Sequence, residues 1–445
     1  MNSTTEKTST KNPMLRVLSI RDFRLLFSGA TTSMLGDQFA LIATPWLVLQ
    51  LTGDPLALGI VLALEGIPRA VFMLLGGAIT DRLSSRLIML VSDIIRFALT
   101  TLMAVVVFTS TVQMWMLYAF GLGFGLVAGF AIPAGNSIIP MLVETQDLQG
   151  GNSLMMGVGQ LVAFVGPTVA GILIGRFSES PLGIGLAFAL DAFSFAVSAT
   201  MLWLMRGGRR LPSGETNQET VWSSILAGMK FLWNDKPLWL MFLVITAINF
   251  LFVGPIEVGI PVLADQRLAE GAVAFGLLMS AFAGGNLVGY LLSGSLPRPS
   301  GKVMKVFLIA LLVAFGVTVG LFGLIRSTWV DFALMLLLGV GNGYISITLF
   351  TWMQTRTPKE MLGRMMSILM LSNIGLLPVS EAIAGVVSKL DLTMLFIGAG
   401  LLVLLVTLWT AVQPELTTFA DSMMAEQTQP GLPAVPEKEF SPASD

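Results

Sequence analysis

The stretch GAITDRLSSR, from Gly77 to Arg86, ends one long apolar segment, residues 57–80, and leads into another, residues 87–109. A helix that crosses a bilayer needs about 20 mainly apolar residues, and each segment supplies that length. The charged residues of the stretch are costly in hydrocarbon, so they belong at a membrane surface. The stretch therefore predicts a tight turn between two membrane-spanning helices.

The rest of the chain has a composition that suits the same solvent. Of the 445 residues, 54% are hydrophobic and 12% are charged, whereas soluble domains have about 25% charged residues. Twelve segments are apolar and long enough to span a membrane. The predicted spans are residues 22–50, 57–80, 87–109, 113–139, 152–176, 183–205, 237–262, 272–295, 303–325, 330–354, 364–388 and 391–412.

Polar segments divide these spans into two sets of six. The later part of the central polar segment, residues 221–233, is predicted to form a short helix at the membrane surface. The predicted parts are a cytoplasmic N-terminal tail (1–21), an N-terminal six-helix bundle (22–205), a cytoplasmic linker (206–236), a C-terminal six-helix bundle (237–412) and a disordered cytoplasmic tail (413–445).

Lysine and arginine are distributed unevenly between the two sides of the predicted spans. Nineteen of the 25 lie in segments on the side of the N-terminus or in the adjoining ends of spans, four lie in or at the opposite loops and two lie deeper within spans. Cytoplasmic loops of membrane proteins carry this excess of positive charge. Both termini are therefore predicted to be cytoplasmic, in a multi-pass protein of the bacterial inner membrane.

The two halves repeat each other at an offset of roughly 215–218 residues, which suits a duplicated six-span unit. The echoed positions are the glycines at 121, 123 and 125 with those at 339, 341 and 343, and the prolines at 45 and 261. These matches predict an all-α membrane protein whose twelve transmembrane helices form two pseudo-symmetric six-helix bundles.

The turn between spans 2 and 3 resembles the loop signature of the major facilitator superfamily, G-x-x-x-D-R-x-G-R-R/K. Gly77, Asp81, Arg82 and Arg86 match this signature, and two serines stand where it has Gly and Arg. The resemblance implies the fold of that superfamily and a cytoplasmic gate at this turn. Asp81 suits such a gate, because a carboxylate caps a neighbouring helix and pairs with a cation. The alternative is an ordinary tight turn.

Span 5 carries a second motif, Gly166-Pro167 followed by Gly171. It is similar to the antiporter motif of superfamily exporters, G-x-x-x-G-P-x-x-G-G, but Val162 and Ala170 replace two of its glycines. A Gly-Pro pair bends a helix and removes a backbone donor. The resemblance implies an exporter, and the alternative is a kinked, closely packed helix.

Three further stretches resemble the branch of the superfamily that includes macrolide-efflux pumps and the enterobactin exporter. They are residues 35–38, 132–140 and 190–195. This resemblance covers residues 15–412 and implies export of amphipathic small molecules driven by the proton gradient. The span 4 arginine of many drug:proton antiporters has no counterpart here.

Charged residues inside predicted spans are the candidates for coupling and substrate binding, because they are costly in a bilayer. Asp37 is near the midplane of span 1 and has no basic partner in its own span. Glu65 and Arg69 are four residues apart in span 2, so they either pair with each other or leave Arg69 to pair with Asp37. Asp191 in span 6 is a further candidate, with a structural anchor as the alternative.

Asp93 and Arg96 share one face of span 3, nearer the cytoplasm, and are assigned to support of the gate. Neutral polar residues within or next to spans are candidates for hydrogen bonds in a cavity, with helix packing as the alternative for each. They are Gln38, Asn136, Gln160, Asn249, Asn342, Tyr344 and Asn373.

The chain has no histidine and no cysteine, which removes the usual bases, nucleophiles and thiolate ligands of membrane enzymes. We therefore predict no catalysis, no cofactor and no metal, and the net charge of -2 favours no nucleic-acid partner. The predicted function is proton-coupled efflux of an amphipathic small molecule by a monomer that switches between two open states. An importer of a metabolite, a lipid translocator and a sensor without transport are the alternatives.

Overall fold

The computed structural model describes residues 13–80, 83–178, 180–208, 221–296, 301–358, 361, 365, 368–369 and 375–419, and the regular structure of these residues is helical. The helices of the first half are α1 (Pro13–Ser19), α2 (Arg21–Thr52), α3 (Pro55–Thr80), α4 (Ser85–Phe108), α5 (Met114–Leu142), α6 (Leu148–Arg176) and α7 (Leu182–Leu204). Those of the second half are α8 (Val221–Asn234), α9 (Lys236–Gly254), a π-helical turn (Pro255–Gly259), α10 (Ile260–Arg267), α11 (Ala272–Ser295), α12 (Gly301–Phe322), α13 (Thr328–Arg356), α14 (Leu377–Leu390) and α15 (Leu392–Ala411).

Eleven helical stretches of the described residues are long and apolar enough to cross a membrane. They coincide with predicted spans 1 to 10 and 12, and α9, the π-helical turn and α10 form one continuous stretch in span 7. The predicted span 11, residues 364–388, includes residues outside the described part, and α14 occupies its end. The prediction of an all-α membrane protein is confirmed.

Two predicted polar segments contain helical structure. The short helix predicted for residues 221–233 is confirmed as α8. The start of the C-terminal tail is also packed, because Leu416 and Phe419 are buried. The ring centres of Phe419 and Trp352 lie 4.7 Å apart, with the two rings nearly perpendicular. The second half therefore continues beyond residue 412, and residues 420–445 lie outside the described part.

Contacts between residues divide the chain into two compact units. These units correspond to the two predicted bundles, except that one stretch of the first bundle groups with the second. Among the described residues, 48–66 group with those from 221 to 419, and those of 13–47 and 67–208 form the first unit. Small residues explain this grouping. A Cβ atom on Gly59 would lie 2.7 Å from the Glu381 carbonyl oxygen, and one on Gly66 would lie 2.6 Å from Cγ of Pro378. Because both glycines lack side chains, this part of α3 packs directly against α14.

Helix pairing within each unit follows the predicted repeat. The third and sixth spans of each half pack along each other, as α4 with α7 and α12 with α15. The middle glycine of each echoed triplet faces the third span of its own half. A Cβ on Gly123 would meet Leu99 of α4 at 3.4 Å, and one on Gly341 would lie 2.6 Å from Leu311 of α12. These equivalent contacts support the duplication predicted from the sequence.

A serine from α14 interrupts the backbone of span 7. The Ser380 hydroxyl donates to the Phe250 carbonyl at 2.5 Å and accepts from the Gly254 amide at 3.0 Å. In an undisturbed α-helix these two backbone groups bond to each other. Pro255, which has no amide hydrogen, follows directly and begins the π-helical turn. An inserted hydroxyl beside a proline therefore accounts for the irregular middle of this span.

Candidate functional site

A cavity of about 660 Å³ lies within the first unit and is lined by residues of α2, α4, α5, α6 and α7. Its α2 wall is a single stripe at helical spacing, since Leu26, Ala30, Ser33 and Asp37 recur every three or four residues. On α4, residues 89, 93 and 96 form the matching stripe. Helical periodicity therefore directs Asp37, Asp93 and Arg96 into one space.

The uncharged lining of this cavity combines amides with flexible apolar side chains. Asn136 and Gln160, both predicted as cavity residues, line it. Four methionines also contribute to its walls, at positions 34, 89, 155 and 156. Methionine is unbranched and polarizable, so it adapts to ligands of different shape. The cavity thus offers charge, hydrogen bonds and an adaptable apolar surface.

The charges around this cavity are unequal in number. The guanidinium of Arg96 attracts the carboxylates of Asp37, Asp93 and Asp191, and the Ser198 hydroxyl hydrogen-bonds Asp93. When all four groups are ionised, three negative charges face one positive charge. Taking unpaired charge out of water is costly, so this cluster favours an additional positive charge or a proton.

This arrangement gives Asp37 a basic neighbour that the sequence did not indicate. The sequence grouped Asp93 and Arg96 with the cytoplasmic turn, whereas the structure brings them to Asp37. Asp191 is fully buried, and both of its carboxylate oxygens are without a hydrogen bond among the described residues. Asp191 is therefore the most secluded carboxylate of the cluster.

Two aromatic rings hold Arg96 in position. Its guanidinium carbon lies 5.1 Å from the ring centre of Phe124 on α5 and 5.5 Å from that of Phe195 on α7. A guanidinium is attracted to ring faces at such distances, and the attraction is larger where water is excluded. The rings thus fix the only positive charge of the cluster among the described residues.

A glycine sets the distance between α2 and α7 beside these charges. A Cβ atom on Gly36 would overlap the Ser194 hydroxyl and would lie 2.7 Å from the Asp191 carboxylate. Any side chain at position 36 would force the two helices apart. Since Asp37 follows Gly36 directly, this close contact also fixes the separation between Asp37 and Asp191.

The Gly-Pro motif of span 5 lies in a close contact within the same unit. Gly166 and Pro167 are buried, and a Cβ on Gly166 would overlap Cγ of Gln38. The helix runs unbroken through the motif and past Gly171, from Leu148 to Arg176. Gln38 therefore packs against α6, in agreement with the packing alternative for this residue.

The turn that suggested a gate is only partly described. Gly77 lies in α3, and Asp81 and Arg82 lie outside the described residues. Arg86 is buried at the start of α4, where Nε donates to the Leu202 carbonyl at 2.6 Å and Nη2 to the Trp203 carbonyl at 2.7 Å. A cation at the end of a helix satisfies its last carbonyl groups and opposes its dipole. Arg86 thus joins the start of α4 to the end of α7.

Ser84, which replaces a glycine of the superfamily signature, has a structural part in the same contact. It is the N-cap of α4, where its hydroxyl accepts from the Leu87 amide, and it donates to the Gly208 carbonyl at 2.7 Å. Serine is a preferred N-cap residue. The departure from the signature therefore stabilises the beginning of α4.

The two candidate charges of α3 lie in different units. Glu65 belongs to the stretch that groups with the second unit, and Arg69 belongs to the first. Both side chains are partly buried and both interact with neighbouring groups. The charge of Arg96 acts on Asp37.

A second cavity, of about 590 Å³, lies within the second unit. Asn249 and Asn342 line it, and the Asn342 amide donates to the Asn286 side chain at 2.8 Å. Tyr344 is buried, and its ring centre lies 5.1 Å from that of Phe307 in an edge-to-face arrangement. Tyr344 therefore packs between helices. Asn373, the remaining neutral candidate, lies outside the described residues.

Two polar residues of interest were not among the sequence candidates. Ser198 completes a stripe with Asp191 and Ser194 on α7, and that helical spacing is the signal by which the sequence could have revealed it. Asp331 is fully buried in the second unit, and both of its carboxylate oxygens are without a hydrogen bond among the described residues. Its position in the first turn of α13 gave no sign of burial.

Comparison with known families gives a match across most of the chain. The sequence profile of the Major Facilitator Superfamily matches residues 26–379. Macrolide efflux protein A of Streptococcus pyogenes is 23% identical over 349 residues, which cover 78% of this chain and 84% of that protein. The enterobactin exporter EntS of Shigella boydii is 25% identical over 358 residues, which cover 79% of this chain and 82% of the exporter.

Solved structures support the fold. A bacterial homologue of the iron transporter ferroportin, in an inward-facing state, is 18% identical and superimposes with a TM-score of 0.65, covering 88% of this chain and 99% of that one. A POT family transporter in complex with 5-aminolevulinic acid gives a TM-score of 0.67 at 15% identity, covering 90% of this chain and 97% of that transporter. At this level of identity the likeness concerns the fold alone.

Proposed function

Because the chain belongs to the Major Facilitator Superfamily, a family of transporters, we propose that it exports an amphipathic small molecule in exchange for protons. The observation that carries this proposal is the charge cluster of the first unit, in which Arg96 faces the carboxylates of Asp37, Asp93 and Asp191. Export is the activity named for the macrolide and enterobactin relatives.

The charge balance of the cluster supports exchange. One guanidinium offsets one carboxylate, so the remaining negative charge needs a proton or a cationic group of the substrate. Two positive species that need the same carboxylates compete for them. Arrival of a proton then weakens binding of the substrate, and departure of the proton restores it. This competition is the minimum requirement for coupling the two fluxes.

Asp37 is the carboxylate that we assign to the exchange, because it lies on the cavity wall and is more accessible than Asp93, which is buried and hydrogen-bonded by Ser198. Asp191 is fully buried beside Gly36, and its charge acts on Asp37. Arg96, clamped by Phe124 and Phe195, attracts whichever carboxylate is ionised. Glu65 on α3 is a second candidate for the proton. Protonation from outside favours release of the substrate, and deprotonation towards the cytoplasm restores binding.

Transport by purified protein in liposomes tests the proposal. A drug and metabolite sensitivity screen of a deletion strain against an overexpressing strain first identifies a substrate. Flux of that substrate is then measured with and without an imposed pH gradient, for the wild-type protein, Asp37→Asn and Glu65→Gln. We expect the gradient to accelerate wild-type flux and to have no effect on the Asp37 variant.

Two outcomes would contradict the proposal. Flux that ignores the gradient and survives both substitutions would show that these carboxylates do not couple protons. Greater accumulation of the substrate in overexpressing cells would show import. Asp54→Asn is the matched control, because it makes the same change at a carboxylate between α2 and α3, outside the cavity, and its flux should respond to the gradient as the wild type does.

A further inference from the structure

The cavity of the second unit differs in chemistry from that of the first. Its walls are stripes of α9, α12 and α13, and the α13 stripe runs through Asn342, Ile345, Ser346 and Leu349. Such spacing places these side chains on one face of the helix. The two walls that α9 and α12 supply are mainly aliphatic side chains and methionine.

Among the described residues that line this cavity, none is charged, and the polar ones are Asn249, Asn342 and Ser346. The bond from Asn342 to Asn286 orients the amide and leaves further hydrogen-bonding positions on it. A charged ligand would lose its hydration here without gaining an opposite charge, which is unfavourable. The lining therefore suits an uncharged ligand.

Size and shape also correspond to a ligand site. Small-molecule sites usually have volumes of about 300–1,000 Å³, with apolar walls and a few placed polar groups. The cavity of about 590 Å³ lies within this range. Two methionines, at positions 241 and 353, give its walls adaptable side chains.

We propose that the second-unit cavity is a binding site for an uncharged, mainly apolar small molecule with one or two hydrogen-bonding groups. The site goes beyond the proposed proton exchange, since it uses none of the charged residues of the first unit. Binding there requires neither a pH gradient nor transport. The protein thus offers one cavity to positive charge and another to neutral apolar molecules.

N-phenyl-1-naphthylamine tests the site, because it is uncharged at neutral pH and fluoresces more strongly in apolar surroundings. The probe is titrated into the purified full-length protein in detergent, with empty micelles as the background. Ile345→Trp fills the cavity from the α13 wall. We expect at least about tenfold weaker binding, since the substitution removes the space for the apolar part of the probe.

Leu337→Trp is the matched control, because Leu337 lies on the same helix and its side chain is 60% exposed. It should bind the probe as the wild type does. Ser346→Phe enters the cavity from an exposed position, so it decides the outcome if Ile345→Trp does not fold. Met156→Trp narrows the first cavity from an exposed position, so unchanged probe binding in this variant separates this site from the cavity of the first unit.

Three results would overturn the proposal. Equal titrations for the wild type, Ile345→Trp and Ser346→Phe would show that the probe only partitions into the micelle. Loss of the probe in Met156→Trp, with normal binding in Ile345→Trp, would place it in the first unit. Phospholipid that mass spectrometry finds on the wild type but not on Ile345→Trp would make a lipid chain the occupant. A failed transport assay leaves all of these readouts intact, so the two proposals fail separately.

Discussion

Arg96 is the charge around which the carboxylates of the first unit are arranged. It attracts Asp37, Asp93 and Asp191, which come from three different helices. Its contacts with Phe124 and Phe195 leave the guanidinium in surroundings that screen charge weakly. Both the folding of the first unit and transport should therefore depend on the Arg96 side chain.

Replacing Arg96 by methionine should destabilise the protein. Methionine is also long and unbranched, so it keeps apolar contact with the two rings but leaves the carboxylates without their counter-charge. Because Arg96 is only half-buried, the loss should be smaller than the value of about 3–5 kcal/mol that is typical for one partner of a fully buried charged pair. Thermal unfolding in detergent, followed by fluorescence, should show a lower melting temperature for Arg96→Met.

A double variant separates charge from packing. Asp93→Asn removes one negative charge and keeps an acceptor for the Ser198 hydroxyl. If Arg96 acts through its charge, Arg96→Met with Asp93→Asn should melt above Arg96→Met alone. Equal melting of the single variant, the double variant and the wild type would show that Arg96 does not balance these carboxylates.

Asp54 and Lys389 form an ion pair that, unlike the charges around Arg96, is exposed to solvent. The Lys389 ammonium donates to the Asp54 carboxylate at 2.8 Å, and this hydrogen bond holds the pKa of Asp54 below its usual value. A lowered pKa stabilises the fold at pH values above the unfolded-state pKa, and the stabilisation is lost as the pH falls through the lower folded-state pKa. The pair should therefore be intact at pH 7 and lost in strongly acidic solution, below about pH 4.

Asp54→Asn should reveal this pH dependence. Because the pair is exposed and screened by salt, we expect it to contribute less than about 1 kcal/mol. The variant should melt slightly below the wild type at pH 7 and low salt, and the difference should shrink at pH 3 and at high salt. A difference that stays the same at pH 3 would mean that the pair is not its source.

At the scale of helices, glycines decide which faces pack. α11 and α13 lie backbone against backbone, because Gly285 and Gly289 of one face Gly339 and Gly343 of the other. Small residues four apart on each helix permit this approach in a membrane, where packing rather than the hydrophobic effect drives association. The spacing of Gly339 and Gly343 was visible in the sequence, but their partner helix was not.

Gly285→Ala should weaken this contact. The added Cβ would overlap the Leu336 carbonyl oxygen and would lie 2.8 Å from the Val340 amide, and neither backbone group can rotate away. Overpacking of this kind typically costs about 1–3 kcal/mol. Gly294→Ala on the same helix is the control, because no atom lies within 4 Å of its added Cβ. The melting temperature should fall for Gly285→Ala only, and equal melting would contradict the packing argument.

The sequence predicted the helices better than their contacts. Spans were visible because about 20 apolar residues are needed to cross a bilayer. The basic neighbour of Asp37 was not visible, since a single sequence does not reveal which faces of α2 and α4 are turned towards each other. The grouping of residues 48–66 with the second unit depends on contacts at Gly59 and Gly66, which are likewise invisible in sequence. The insertion of Ser380 into span 7 had no sequence signal at all.

At the scale of the whole molecule, the two halves keep a common plan but differ in polarity. The first unit holds the mixed charges around Arg96, and the cavity of the second has uncharged polar groups. The sequence predicted this contrast, although Asp331 adds a buried carboxylate to the second unit. The proposed division of work, with coupling in the first half, follows from the contrast.

The orientation of the repeat in the membrane is the remaining whole-molecule prediction. The excess of Lys and Arg on one side predicts that both termini lie in the cytoplasm. Gln146 and Ser178 are exposed and lie beyond opposite ends of α6, Leu148–Arg176. Its 29 residues extend about 44 Å at 1.5 Å per residue, which is enough to cross the bilayer. Gln146 should therefore face the cytoplasm and Ser178 the outside.

The natural chain has no cysteine, so single cysteines at these positions can be labelled without background. A membrane-impermeant maleimide should label Ser178→Cys in intact cells and Gln146→Cys only after the cells are permeabilised. Labelling of Gln146→Cys alone in intact cells would invert the orientation, and with it the side from which protons reach Asp37. Labelling of both in intact cells would mean that α6 does not cross the membrane. Orientation thus connects the charge bias of the loops to the direction of the proposed exchange.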